Sequence, residues 1–166
     1  AGNSPGTPAL ESSTGQVDLE ACRPQTVAVV GGGPEITVRR ADGRTIEWAE
    51  GTPIPLMAGD RLRVGFLAHG TFTYVAPRGG VEAPRTLGSA STDTLSGLGP
   101  RALAAGDLVA VGHTARAAVR DEHLALPAPP AQGPVVIDAV PGPREDWFTP
   151  EGVRAFWGGT WTVSPQ

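Results

Sequence analysis

Residues 89–94, Ser-Ala-Ser-Thr-Asp-Thr, concentrate the groups of this chain best suited to polar chemistry. Within these six residues lie four hydroxyls and the Asp93 carboxylate, between two glycine-rich turns. A run this polar does not build a core, because each buried hydroxyl needs a hydrogen-bond partner. Ser91 is placed to cap a short helix, with Leu95 and Leu98 as its apolar side. Residues 89–93 then lie at a helix N-terminus, where free N–H groups and the helix dipole favour an anion. Asp93 in that first turn either serves the dipole alone or positions Ser89 or an arginine such as Arg78. The same stretch also reads as a capped loop of purely structural value.

Other candidates are weaker. In 144–148, Arg-Glu-Asp-Trp-Phe, charges and aromatics follow an apolar run, as at a sheet end where sites form. The alternative there is a rim salt bridge with Trp147 and Phe148 in the core. Gly31-Gly32-Gly33 resembles a phosphate loop, but it leads into a strand and lacks the lysine, so it reads as a turn. His69, His113 and His123 have no Cys, His or carboxylate at ligand spacing and read as loop residues, not zinc ligands. Cys22, the single cysteine, allows no internal disulfide and reads as a small buried hydrophobe.

The elements that must position these groups follow from composition. Gly 23 and Pro 17 make up nearly a quarter of the 166 residues, which disfavours long helices and favours an all-β architecture. The net charge of −4 offers no basic field for nucleic acid or an anionic membrane. All 13 basic residues are arginine, which excludes a Schiff-base, Walker or biotinyl lysine on this chain. No apolar run is long enough for a transmembrane helix, and the first residues lack the features of a signal peptide.

Alternating or apolar runs predict strands around 17–22, 26–30, 36–40, 45–48 and 71–76, with 26–30 read as fully buried. Asp42-Gly43 between two of them is a hairpin signal. Leu56-Met57-Ala58-Gly59-Asp60-Arg61-Leu62-Arg63-Val64-Gly65 recurs 47 residues later as Leu103-Ala104-Ala105-Gly106-Asp107-Leu108-Val109-Ala110-Val111-Gly112, with six of ten positions identical. The echo predicts two similar turn-and-strand units in a barrel. Residues 1–8 read as a lead-in loop and 113–133 as an Ala/Pro-rich surface excursion. The apolar run 135–140 predicts a buried strand. Thr149 caps a helix with Pro150 at its first position and Val153, Phe156 and Trp157 on one face. Gly158-Gly159 ends that helix, and Trp161 and Val163 begin a last strand, for about ten strands and two short helices.

Several motifs in order resemble one family: Tyr74-Val75-Ala76 with Gly79-Gly80, Leu87-Gly88-Ser89 with Ser91-Thr92-Asp93, Pro141-Gly142-Pro143 with Asp146-Trp147-Phe148, and Val163-Ser164-Pro165-Gln166. Asn3 and Ala9-Leu10-Glu11 agree as well. This is the allophanate-hydrolase-subunit-2-like, biotin-dependent carboxyltransferase-related family, which includes the C-type subunit of bacterial 5-oxoprolinase. The resemblance implies a mainly β fold with a cyclophilin-like closed barrel and one or two short helices. It also implies that 1–166 is a single barrel domain excised from a longer, cytoplasmic subunit.

The function implied is a share in an ATP-dependent amidohydrolase complex that opens 5-oxoproline to glutamate. The partners implied are a subunit-1-like protein of the 5-oxoprolinase B type and a lactam-utilisation protein of the A type. ATP then acts at the level of the complex, and biotin, if used, arrives on a partner. The alternatives are the carboxyltransferase part of a urea carboxylase, or a non-catalytic regulatory module. The family usually carries arginine where Ala90 stands, which leaves room for the last. The candidate substrate-binding residues are Arg78, Gly79, Gly80, Ser89, Ser91, Thr92, Asp93, Asp146, Trp147, Ser164 and Gln166. Backbone N–H groups, hydroxyls and arginine at these positions would hold carboxylate or carbonyl oxygens.

Overall fold

A computed structural model describes residues 1–119, 126, 133 and 136–162. The chain divides into two compact units, Ala1–Pro129 and Pro130–Gln166. The division falls inside the Ala/Pro-rich stretch.

The first unit carries eight strands: β1 (Leu10–Ser13), β2 (Gly15–Glu20), β3 (Gln25–Val30), β4 (Ile36–Arg39), β5 (Thr45–Trp48), β6 (Pro53–Leu56), β7 (Arg61–Phe66) and β8 (Phe72–Pro77). They form two four-stranded antiparallel sheets, in the orders β1-β8-β3-β6 and β2-β7-β4-β5. Alternation decides which side of each strand is covered. Val27, Val29, Ile54, Leu56 and Val75 from the first sheet join Ile36, Val38, Leu62 and Val64 from the second in one core. Leu10, Val17, Leu19, Ala21 and Trp48 pack around it.

The chain changes sheets between β1 and β2. Thr14, Gly15 and Gln16 all adopt positive φ (66°, 83° and 60°), and a Cβ at Gly15 would stand 2.2 Å from the Gly65 carbonyl oxygen. β6 lies at a sheet edge and carries Pro53 and Pro55, which have no N–H to leave unpaired there. The Asp42-Gly43 hairpin forms as its sequence demands: Gly43 takes φ +89°, and the Asp42 carboxylate accepts from the backbone N–H and Nε of Arg44.

The mainly β reading holds, but no closed barrel forms among the described residues, because the strands pair into two separate sheets. The Ser91-capped helix is absent: residues 91–99 form turns, and Leu95 is 97% exposed. Cys22 is exposed, since it follows Ala21 at the end of the β2 alternation and points away from the core.

The Ala-Gly-Asp echo is real at the turn and lost after it. In both copies the aspartate accepts from the N–H three residues earlier, Met57 for Asp60 and Ala104 for Asp107, each at 2.7 Å. Only the first copy continues as a strand, because β7 lies between β2 and β4. After the second turn a single bridge forms, Val111 to Val81, flanked by the Glu82 N–H bond to Ala110 and the Gly112 N–H bond to Gly80.

In the second unit, Thr149 caps α1 (Pro150–Gly158), its hydroxyl accepting from the Gly152 N–H at 3.2 Å, with Pro150 starting the helix. Of the face read from the sequence, Val153 is half-buried, while Phe156 and Trp157 remain about half exposed. Phe156 contacts Trp157 edge-on at 5.2 Å, and the Trp161 Nε1 donates to the Phe156 carbonyl at 3.0 Å. Residues 136–140 are exposed and form no strand. A strand needs a neighbour to take up its N–H and C=O groups, and the unit contains no second strand among the described residues. Residues 161 and 162 are not strand either, and Val135 and Val163 lie outside the described residues.

Candidate functional site

The 89–94 loop is exposed along most of its length and is held by local bonds. Thr86 and Ser89 exchange backbone hydrogen bonds of 2.8 and 3.0 Å, and the Ser89 hydroxyl accepts from the Ser91 N–H at 3.1 Å. The Thr92 hydroxyl donates to the Pro100 carbonyl at 2.6 Å. Asp93, not Ser91, organises the turn that follows. Its Oδ1 accepts from the N–H groups of Leu95 (3.0 Å) and Ser96 (3.4 Å), and its Oδ2 accepts from the Ser96 hydroxyl at 2.6 Å. The Asp93 N–H donates to the Leu98 carbonyl, closing the loop. The Ser96 hydroxyl and these N–H groups hold the Asp93 carboxyl below its ordinary value. Its bonds therefore go to its own turn, not to Ser89 or Arg78. The Ser91 side chain makes no hydrogen bond to a described residue and faces solvent.

Arg78, Gly79 and Gly80 follow β8 and are tied into the scaffold. The Arg78 N–H donates to the Thr26 carbonyl at 2.7 Å, and its Nη1 to the Ala1 carbonyl at 2.8 Å. Asn3 clamps the turn from both sides: its Nδ2 donates to the Pro77 carbonyl and its Oδ1 accepts from the Gly79 N–H, each at 2.8 Å. The Gly80 N–H donates to the Pro77 carbonyl at 2.9 Å. Both glycine N–H groups are thus occupied, and this turn supports the fold instead of presenting donors to a ligand.

Asp146 and Trp147 belong to the second unit, in a 3-10 turn (Glu145–Trp147). The Arg144 guanidinium lies 4.7 Å from the centroid of the Trp147 ring. Trp147 and Phe148 are 71% and 67% exposed, so neither is the core residue of the structural alternative. Ser164 and Gln166 lie outside the described residues, as does His123. His69 and His113 are exposed, and no group of three metal-ligating side chains occurs among the described residues.

Two carboxylate sites escaped the sequence. The first is the glycine run. Gly31, Gly32 and Gly33 all take positive φ (110°, 85° and 59°), and the N–H groups of Gly31 and Gly33 both donate to the Glu50 carboxylate, the latter at 3.1 Å. The run is an anion cradle filled by the protein's own glutamate, so it does not fit a nucleotide phosphate. The second is the Ala-Gly-Asp turn. At Asp107 the Arg101 guanidinium, in a two-pronged pair of 2.7 Å bonds, and the Ala104 N–H hold the carboxyl down to about 2.

A depressed folded pKa contributes stability that is present above the unfolded value near 4 and lost as the pH falls towards 2. The melting-temperature gap between wild type and Asp107→Asn is therefore expected to be widest above about pH 5 and to close by about pH 2. Thermal melts across that range check it. A gap independent of pH would show that the ion pair does not set the acid response.

No helix among the described residues is long and apolar enough to cross a membrane. Against known proteins, the chain is 33% identical to the C-type subunit of the 5-oxoprolinase of Escherichia coli (strain K12) over 174 residues, which covers 99% of the chain and 51% of that protein. It is 31% identical to the urea amidolyase of Saccharomyces cerevisiae (strain ATCC 204508 / S288c), across 98% of the chain but 9% of that protein. Among solved structures, the crystal structure of TTHA0988 superposes with a TM-score of 0.69 at 30% identity, covering 92% of this chain and 29% of that one. The chain thus spans about half the length of the 5-oxoprolinase subunit and a small part of the amidolyase. The family signature described as carboxyltransferase domain, subdomain A and B, matches residues 1–166, and the chain belongs to that family.

Proposed function

We propose that this chain forms part of a subunit of an ATP-dependent 5-oxoprolinase-type complex, which opens 5-oxoproline to glutamate. The observation that carries the reading is the 33% identity to a C-type 5-oxoprolinase subunit over 99% of the chain. A cytoplasmic setting, a subunit-1-like partner of the B type and a lactam-utilisation partner of the A type belong to the same proposal. So does a cyclophilin-like barrel closed around the shared core in the complete subunit. ATP acts at the level of the complex; the Gly31–Gly33 cradle is filled by Glu50. With no lysine on the chain, biotin would have to arrive on a partner.

On this reading the exposed hydroxyls of Ser89 and Ser91 face the substrate's carboxylate or carbonyl, while Thr92, whose hydroxyl proton goes to the Pro100 carbonyl, and Asp93 are positioning residues that hold their loop. Arg78, Gly79 and Gly80 buttress the same unit, and Asp146 and Trp147 remain candidates for substrate contact. The second reading, transfer of a carboxyl group from carboxybiotin to urea, draws support from the 31% identity to a urea amidolyase over nearly the whole chain.

Reconstitution with the two partners tests the proposal. ATP-dependent release of glutamate from 5-oxoproline is expected only when this polypeptide is present, and none from the polypeptide alone. Carboxylation of urea with a biotinylated partner, without lactam opening, would select the second reading. An assembled complex whose turnover is indifferent to this polypeptide would leave it a regulatory module, consistent with Ala90.

Within an active complex, Asp93→Asn still offers an oxygen to the Leu95 and Ser96 N–H groups. Turnover is expected to stay within about threefold of wild type, with faster amide exchange at Ser96. A fall of about tenfold or more, with exchange unchanged, would give Asp93 a direct role on the substrate.

A further inference from the structure

The hairpin end of the second sheet holds a concavity of about 330 Å3 lined by Arg39, Arg40, Ala41, Gly43, Gly59 and Arg61. None of these residues belongs to the hydroxyl loop. Strand register sets Arg39 of β4 directly opposite Arg61 of β7, and like charges so placed repel. Arg61 turns its Nε and Nη2 towards Glu20 on β2, at 3.1 and 2.8 Å. Arg40 uses a single nitrogen, Nη1, for both Asp60 and the Pro55 carbonyl. Arg39 makes no ion pair among the described residues: Glu20 pairs with Arg61, Asp60 with Arg40 and Asp42 with Arg44, and Glu47 of β5, which stands opposite Thr37, does not pair with it either.

The floor stays open because it lacks side chains. Nothing lies within 4 Å of a Cβ at Gly43, and at Gly59 only the Ala41 Cβ does, at 3.6 Å. A chain of net charge −4 thus keeps an uncompensated guanidinium beside a second one with unused donors, over a glycine-lined hollow.

We propose that this cleft is an oxyanion site that takes a phosphoryl or carboxylate group between Arg39 and Arg61. Guanidinium forks match the geometry of such groups and donate charge-assisted bonds. The bound anion would also cancel the Arg39–Arg61 repulsion. The inference goes beyond the proposed activity and does not depend on it, because its test reads binding and not turnover.

Calorimetric titration of the folded polypeptide at low ionic strength with inorganic phosphate and, separately, with succinate tests it, with sodium chloride controlling for screening. Saturable binding is expected, weakened roughly tenfold or more in Arg39→Gln, as loss of a charge-assisted contact requires. Arg63→Gln lies on the same strand as Arg61 but faces Asp18 and Thr37 outside the cleft, and should bind within about twofold of wild type. Without ligand, Arg39→Gln should melt no lower than wild type, since it removes a repulsion. Binding of phosphate alone assigns a phosphoryl ligand, and binding of succinate alone a carboxylate. No saturable binding of either, or equal weakening in both variants, overturns the proposal.

Discussion

Gly79→Ala is expected to destabilise the first unit by about 4 kcal/mol or more, enough to lower its melting temperature by roughly 10 °C or beyond. Two independent causes add. Gly79 holds φ +94°, a conformation that costs an L-residue roughly 1–3 kcal/mol. Its missing Cβ would also stand 1.9 Å from the Gly112 carbonyl oxygen, a backbone atom with no rotamer to yield. Relief requires moving the 79–82 and 110–112 segments apart. The Gly112 N–H bond to Gly80 (3.0 Å) and the Glu82 N–H bond to Ala110 (2.9 Å) hold them together. Gly43→Ala is the matching control, with φ +89° but nothing within 4 Å of its Cβ. It should cost only the strain, about 1 kcal/mol. Urea melts of the two variants measure the difference, and equal losses would show that the packing at Gly79 adds nothing to its backbone strain.

Asp60→Ala is expected to lower the melting temperature by about 10 °C or more, and Asp60→Asn by less. Asp60 is 2% exposed, and its carboxylate collects three donors: the Met57 N–H at 2.7 Å, Arg40 Nη1 at 2.5 Å and the Ala41 N–H at 3.2 Å. The Met57 N–H and then the Arg40 guanidinium hold its carboxyl below the ordinary value, against the opposing effect of burial. Alanine strips partners from two backbone N–H groups and from Arg40, itself only 17% exposed. Asparagine keeps an acceptor oxygen but loses the charge facing Arg40. The depressed pKa adds a pH signature: the stability due to Asp60 is present above about pH 4 and lost as the pH falls through the lower folded value. The wild type and Asp60→Asn should therefore converge in acid. If the two melted alike at neutral pH, the Asp60–Arg40 pair would not be a clasp of the β4–β5 and β6–β7 turns.

Local pattern was sufficient wherever one strand or one turn settles the answer. Ile36 and Val38, and Leu62 and Val64, alternate because each strand has one covered face, and that period is visible without the fold; the apolar run 26–30 marks a strand but not that only Val27 and Val29 are buried. The Asp42-Gly43 hairpin and the Thr149-Pro150 helix start rest on φ angles and caps set by adjacent residues, and both are found where the sequence puts them. The Ala-Gly-Asp echo marked two real turns for the same reason. The family, too, could be read from separated motifs in order.

What depended on distant partners could not be read. Residues 135–140 have the composition of a strand, but pairing requires a neighbour that sequence does not supply, and 136–140 stay exposed. Leu108 follows the same turn as β7 and lies 86% exposed, because β2 and β4 flank only the first copy. Ser91 and Asp93 are both good caps by type, so type alone did not decide between them, and Asp93 takes the Leu95 and Ser96 donors of its own turn. Glu50 fills the cradle of a glycine run 17 residues before it, and Asn3 reaches across 76 positions to Gly79. Arg39 and Arg61 are 22 residues apart in sequence and become opposites only through the β4–β7 register. Hydrogen bonds and charges act over a few ångströms, so the fold alone decides which residues come within range of one another.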